Sequence, residues 1–235
     1  MTLILSGTDG LSDIDGSAAT PAIRGTDANT GIFFGTDIIG FSEGGVEAMR
    51  INASGNVEMT GTLTTVSRGI AKASMPAGSV LQVVSTTKTD SFSTSATSMT
   101  DVTGLSVSIT PTASTSKILV LLTLNLAGAN GNAGASYQLV RGSTAIAIGD
   151  VAGSRPQASG SIAYIADANS STALSGSFLD SPATTSATTY KIQVVPGAAP
   201  SAGSAYVNRT QNDTNGTNFY NARTASTITV MEIAV

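Results

Sequence analysis

The chain has 235 residues and neither Cys nor His, which excludes disulfides, thiolate chemistry and zinc sites built on those ligands. Only 11% of residues are charged and 5% aromatic, while mean hydropathy is +0.20, a profile of regular β-structure with small side chains rather than of a disordered chain. The net charge of −4 and isoelectric point near 4.6 argue against a nucleic-acid partner, because phosphate binding wants a basic surface.

The acidity is uneven. Residues 1–60 carry eight acids and two bases, so that segment stands at −6 and the remainder at +2, which indicates two regions of different character. The opening "MTLILSGTDG" lacks a basic n-region and meets Gly and Asp early, so neither a signal peptide nor a membrane anchor is expected. No apolar run approaches the roughly 20 residues needed to span a bilayer. "TDGLSDIDG" (Thr8 to Gly16) gathers Asp9, Asp13 and Asp15 but lacks the alternating ligands and closing Glu of a calcium loop. It reads as an acidic turn, and neither a metal nor a cofactor is expected.

From Thr20 to Thr65 short strands alternate with Gly, Asn and Asp, as in "AIRG", "GIFFGTDIIGF" and "GVEAMRINASGNVEMTGTLT", with "ASGNV" (Ala53 to Val57) as a tight turn. Such strands cannot bury a core alone and are expected to need copies from other chains. The pattern fades over Val66 to Ala77, giving a shaft region 1–70, a linker 71–77 and a head 78–235.

In the head, strands are expected at Ser79 to Thr87, Gly104 to Thr110, Lys117 to Leu126, Ala135 to Arg141, Thr144 to Gly149, Ser161 to Asp167, Thr172 to Leu179, Thr188 to Val195, Ala205 to Asn208 and Ala225 to Val235. Turn-rich joints and the absence of helical periodicity predict an all-β antiparallel sandwich of jelly-roll type. Two strands are apolar on both faces. In Lys117 to Leu126, Ile118, Val120, Leu122, Leu124 and Leu126 share one side, and Leu119, Leu121, Thr123 and Asn125 the other. In "STITVMEIAV" (Ser226 to Val235) the sides are Ile228, Val230, Glu232 and Ala234 against Thr229, Met231, Ile233 and Val235. One face should pack in the core and the other against neighbouring copies in a closed trimer. Glu232 then needs a cation, with Arg141, Lys117 or Lys191 available, or several donors; the alternative is an edge position in solvent.

"TPAIRGTDANTGIFFGTDIIGFSEGGVEAMRINASGNV" (Thr20 to Val57) resembles a module of bacteriophage tail-fibre and tail-spike proteins, whose pattern runs through Pro-Ala-Ile, D-x-N-T-G-I-F, G-x-S-x-G-G-x-E-x-x-R-I and S-G-N-V. "GSVLQVVSTT" (Gly78 to Thr87), "LSVSITPTASTSKILVLLTLN" (Leu105 to Asn125), "AYVNRT" (Ala205 to Thr210) and "RTASTITVMEIAV" (Arg223 to Val235) resemble trimeric phage head domains of the tumour-necrosis-factor or C1q-like jelly-roll type. The resemblance implies a homotrimer on the virion, a short intertwined shaft attached to a tail or other virion protein, and a head that meets a host-surface glycan or protein. With one recognisable shaft module it would be a short appendage.

Catalysis without imidazole or thiolate would need paired carboxylates or a Ser-Lys arrangement. Ser85 to Lys88 and Ser114 to Lys117 have the S-x-x-K spacing but lie at a strand end and a strand start, not at a helix start. Asp90, Asp101, Asp150, Asp167, Asp180 and Asp213 sit mostly in turn contexts, so no enzyme is expected. Recognition is read instead in "YVNRTQNDTNGTNFYNART" (Tyr206 to Thr224), where Asn212, Asn215, Asn218 and Asn221 recur every three residues around Phe219 and Tyr220. Amides offer donors and acceptors to sugar hydroxyls and aromatic faces cover a pyranose ring. Tyr206, Arg209, Asn212, Asn215, Asn218, Phe219, Tyr220 and Arg223 are the candidate receptor-binding residues; the competing reading is a polar hairpin with its aromatics turned inward. The Asn-x-Ser/Thr sites at Asn52, Asn169, Asn208, Asn212 and Asn215 read as accidents of composition.

Overall fold

A computed structural model describes residues 15–60, 75–129, 134–163, 167–197 and 203–235. The Thr8 to Gly16 acidic turn lies almost wholly outside these, as does most of the linker. The chain divides into two compact units, Met1–Gly69 and Ile70–Val235, and among the described residues the sole helical element is a 3₁₀ turn, so the fold is all-β.

The first unit is one antiparallel layer in sequential order, β1 (Ile23–Arg24), β2 (Gly31–Gly35), β3 (Ile38–Glu43), β4 (Val46–Ile51) and β5 (Val57–Met59). Asp27 accepts from the Asn29 amide and the Thr30 hydroxyl, closing the β1–β2 turn, and the Thr30 hydroxyl in turn accepts from the Gly44 amide. A side chain at Gly31 would strike the Ile23 carbonyl, and one at Gly40 would enter the Phe33 ring, which packs flat over that glycine with Phe33 only 6% exposed. Gly44 and Gly45 both hold positive φ at the β3–β4 turn, the conformation that suits a tight hairpin. The tail-fibre-like motif is therefore a set of turn closures and close approaches. Asn52 accepts from the Ser54 and Asn56 amides, which makes "ASGNV" the predicted turn.

Cross-strand partners share a face of a sheet. One face of this layer carries Ile23, Ile32, Phe41, Met49 and Met59 in one row and Phe34, Ile39, Ile51 and Val57 in the next. Among the described residues of the unit no second layer lies over them, and Ile23, Ile39, Val57 and Met59 are exposed.

The second unit is a two-sheet jelly roll. One sheet aligns β6 (Val80–Lys88), β16 (Ser226–Ile233), β9 (Lys117–Gly128) and β13 (Thr172–Asp180), with β15 (Ala205–Val207) and β7 (Phe92–Thr94) continuing beside β9. The other aligns β8 (Thr100–Ile109), β14 (Thr188–Pro196) and β10 (Ala135–Arg141), with β11 (Thr144–Ile146) and β12 (Gly160–Ile162) both on the outer side of β10. Successive long strands switch sheets, the jelly-roll connection. Between the layers lie Leu105, Val107 and Ile109, Ile118 through Leu126 in alternation, Tyr137 and Leu139, Tyr190, Ile192 and Val194, and Ile228 and Val230. Each such apolar side chain contributes roughly 1.5–3 kcal/mol on full burial.

The predicted strands recur with small differences. Gly104, read as a strand start, is the pivot of a bulge inside β8: its φ is +81°, and β14 advances from Lys191 to Gln193 while β8 advances from Ser106 back to Asp101. β7 was not anticipated, because "FST" is too short for its period to register.

Two buried acids brace the end of the sandwich where β6 begins. Asp180 accepts two hydrogen bonds from Arg141, at 2.8 and 2.9 Å, and one from the Tyr190 hydroxyl at 2.7 Å, which ties β13 to β10 and β14. Glu232 lies on the core side of β16, fully buried, and accepts from the Thr112 amide and hydroxyl at 2.6 Å, from Ser116 at 2.8 Å and from Gln82 at 2.6 Å. The cations proposed as its partners are engaged elsewhere, Arg141 on Asp180, Lys117 on Ser181 and Lys191 on Asp101. Four neutral donors from the loop after β8 and from β6 replace a counter-ion, and the solvent-facing alternative fails because Glu232 shares the face of Ile228 and Val230.

Burial alone would raise the Glu232 carboxyl, but the Thr112, Ser116 and Gln82 bonds outweigh it and hold the group below its ordinary value of 4.5. A carboxyl depressed on folding adds stability above the unfolded-state pKa and loses it as pH falls through the folded value. Urea midpoints should therefore decline below about pH 4.5, and E232Q should flatten that decline while lowering the midpoint at pH 7.

Candidate functional site

The segment between β15 and β16 lies at the end of the jelly roll where β6 ends, since Ser226 pairs with Lys88, opposite the end braced by Glu232. Its base is rigid. Asn208, fully buried with φ +61°, receives the Ser226 hydroxyl at 2.6 Å and donates to the Lys88 and Asp90 carbonyls, while the Ser226 hydroxyl accepts from the Asn125 amide. The Asn208 and Ser226 side chains together thus join β6, β9, β15 and β16 beneath the loop. Lys88, itself buried, reaches Asp90 at 2.8 Å, and that bond holds the exposed Asp90 carboxyl below its ordinary range.

Above the base, Asp213 binds Arg209 at 3.2 Å and Arg223 at 2.7 Å, cross-linking the two arms of the loop. The Arg209 guanidinium also lies 5.0 Å from the Tyr206 ring centroid, within cation–π range, and donates to the Thr210 and Gln211 carbonyls. Asn212 donates to the Asn169 side chain, and its amide to the Ala168 carbonyl, which fastens the loop to the turn before β13.

The tip is of another kind. Phe219–Asn221 form a 3₁₀ turn, Phe219 is 97% exposed and Tyr220 55%, and Asn218 donates to the Tyr220 hydroxyl at 2.7 Å. The inward-turned reading of these aromatics fails. The eight candidates accordingly separate into a brace (Tyr206, Arg209, Asn212, Arg223) and a tip (Asn215, Asn218, Phe219, Tyr220). Asp213 and Asn208, which set the loop's shape, were missed; an acid standing between two arginines, Asp213 between Arg209 and Arg223, was the available signal. The buried Asn208 amide is fully engaged and cannot carry a glycan.

The S-x-x-K pairs do not assemble. Ser85 bonds Thr229 on the outer face of its sheet while Lys88 points inward, and Lys117 donates to Ser181.

A second surface lies on the outer side of the β6-β16-β9-β13 sheet. Register aligns Val83 with Met231, Met231 with Leu119 and Leu119 with Leu179, an apolar row across all four strands. Leu121 extends it, and Val83, Leu121 and Leu179 are exposed. The next row along mixes Leu121 with hydroxyls, Ser85 meeting Thr229 at 2.8 Å on one side of it and Ser177 standing on the other.

No family model and no curated protein matches the chain. Among solved structures, it is similar to infectious bursal disease virus, Gx strain (15% identity, TM-score 0.33, covering 66% of this chain and 37% of that one). It is similar also to a viral particle of that virus (10%, TM-score 0.35, 84% and 45%) and to a VP2 subviral particle of it (13%, TM-score 0.31, 91% and 52%). The chain spans about half or less of each, and TM-scores this low establish no relationship.

Asn208→Ala should lower stability by about 2–3 kcal/mol, because it takes the side-chain donor from the Lys88 and Asp90 carbonyls and the acceptor from the buried Ser226 hydroxyl, and because Ala tolerates positive φ less well than Asn. Denaturant midpoints would show it, whereas Asn215→Ala at the exposed tip should change stability by less than about 0.5 kcal/mol.

Proposed function

We propose that the protein is a homotrimeric fibre or spike of a virion that adsorbs to a host-surface glycan or protein through the Phe219 tip of its head, by multivalent binding and without catalysis. The observation that supports this reading is that each unit displays an apolar sheet face which its described residues leave uncovered. In the first unit the face spans five strands, about 19 Å from first to last at the usual strand spacing. In the second it is the Val83-Met231-Leu119-Leu179 row. Rotational symmetry covers both with a single operation, since every copy presents the same patches to its neighbours. The sequence resemblance of residues 20–57 to tail-fibre modules supports the virion setting and the attachment role of the first unit.

The loop supports the adsorption role. A nearly fully exposed Phe on a braced loop supplies an apolar contact at low entropic cost, and three such loops on one trimer would convert weak individual binding into avidity. Light scattering on the intact protein should give three times the 23.4 kDa chain mass, and Met231→Asp should shift it to smaller species. A monomeric full chain would overturn the fibre reading.

Replacing Phe219 and Tyr220 together by Ala should leave the melting temperature unchanged and weaken adsorption to host cells by about tenfold or more. Undiminished adsorption would instead favour a decoration protein whose head only holds the trimer together.

A further inference from the structure

Between the two sheets, on the side where they are not sealed, lies a cavity of about 150 Å³ lined by Val120, Leu122, Tyr137, Leu139, Ser159 and Phe178. Its mouth falls between β13, which pairs with β9 alone, and the β11 and β12 edge of the other sheet. It opens to solvent at that mouth and leaves a gap in a core otherwise packed to near-crystalline density.

Two strand glycines make the space. A Cβ at Gly160 would stand 2.5 Å from the Tyr137 ring, and one at Gly176, in the middle of β13, would stand 3.3 Å from its hydroxyl. Glycine inside a strand weakens it and often marks a place where another group must approach closely. The Ser159 hydroxyl is fully used, accepting from the Leu139 amide at 2.8 Å and donating to the Ile146 carbonyl at 3.1 Å. Tyr137 is different. It is 6% exposed, lines the cavity, and its hydroxyl makes no hydrogen bond among the described residues. Burial raises its pKa, so it is a neutral donor at all physiological pH values. By contrast the other buried core tyrosine, Tyr190, has Asp180 as its acceptor.

We infer that this cavity is a binding site for a small apolar ligand of single-ring size bearing one hydrogen-bonding group, which seats its ring against Val120, Leu122, Leu139 and Phe178 and pairs with the Tyr137 hydroxyl. A cavity of about this volume accommodates benzene, and the unpartnered Tyr137 hydroxyl on its wall is the group that can pair with the ligand's polar atom. The site lies inside the sandwich, away from both the Phe219 tip and the outer sheet faces, and does not depend on the adsorption reading.

The probes are phenol and benzene, added to the intact protein and followed by thermal shift and by methyl resonances of Leu122 and Leu139. Phenol should raise the melting temperature in a concentration-dependent way and bind about five- to tenfold more tightly than benzene, the ratio that one net hydrogen bond supplies. Tyr137→Phe should bring that ratio to about one while leaving benzene binding intact. Leu139→Phe, which fills the void, should abolish both; should that variant fail to fold, Val120→Ile fills it more gently. Absence of any shift with either probe, equal affinities in the unaltered protein, or binding that survives filling would each overturn the assignment.

Discussion

Strand β9 is the constraint on which the head depends. It is hydrogen-bonded along one side to β13 and along the other to β16 and β15, so it can neither fray nor leave the sheet. It is also apolar on both faces: Ile118, Val120, Leu122, Leu124 and Leu126 fill the space between the sheets, while Leu119 and Leu121 stand on the outside. A strand at the centre of a sheet with two apolar sides is ordinary where both faces are covered, as in sheets flanked by other layers. Here, among the described residues, one layer covers one face. The hydrophobic effect acts on the second face as strongly as on the first, and the four-strand row through Leu119 makes the uncovered area continuous rather than scattered.

How a carboxylate survives beside this core follows from the same geometry. Glu232 occupies the last inward position of β16, where the chain leaving β8 bends across the end of the sandwich. That bend exposes the Thr112 amide, which has no strand partner, together with the Thr112 and Ser116 hydroxyls. The acid therefore satisfies donors that the turn would otherwise bury unpaired, and the turn solvates the acid. At the same end Asp180 does the equivalent for Arg141 and Tyr190. Both acids sit where a strand runs out of apolar partners, and each links elements that the backbone ladders leave separate.

Alternation made the strands legible in the sequence: the two sides of β9 and β16 were assignable residue by residue because the period of two is strict and both strands exceed seven residues. The same reasoning missed β7, with three residues, and mistook the bulge at Gly104 for a boundary, since a glycine with positive φ breaks the pattern whether it ends a strand or kinks one. Partners across long sequence separations were not legible. Glu232 meets residues 116, 120 and 150 positions away, and no local pattern distinguishes an acid held by hydroxyls from one held by lysine. In the loop, composition singled out the stretch but could not separate brace from tip: Arg209 and Arg223 look alike available for a ligand until Asp213 is found bonded to both.

The division of that loop has a physical logic. On the proposed adsorption role, the loop must keep an apolar side chain in water without letting it collapse onto the protein, and a flexible loop would let Phe219 fold back. The rigid base at Asn208, the two-armed Asp213 cross-link and the Asn212 tie to the turn before β13 remove that freedom one layer at a time. The polar residues spaced through this stretch are thereby mostly consumed in holding the loop's shape. What is left over for a partner is small, a single aromatic pair with the amides of Asn215 and Asn218 beside it. A contact surface of that size is weak for one copy, so its usefulness is tied to the oligomer: the apolar faces that would assemble the chains are what would make so small a tip sufficient.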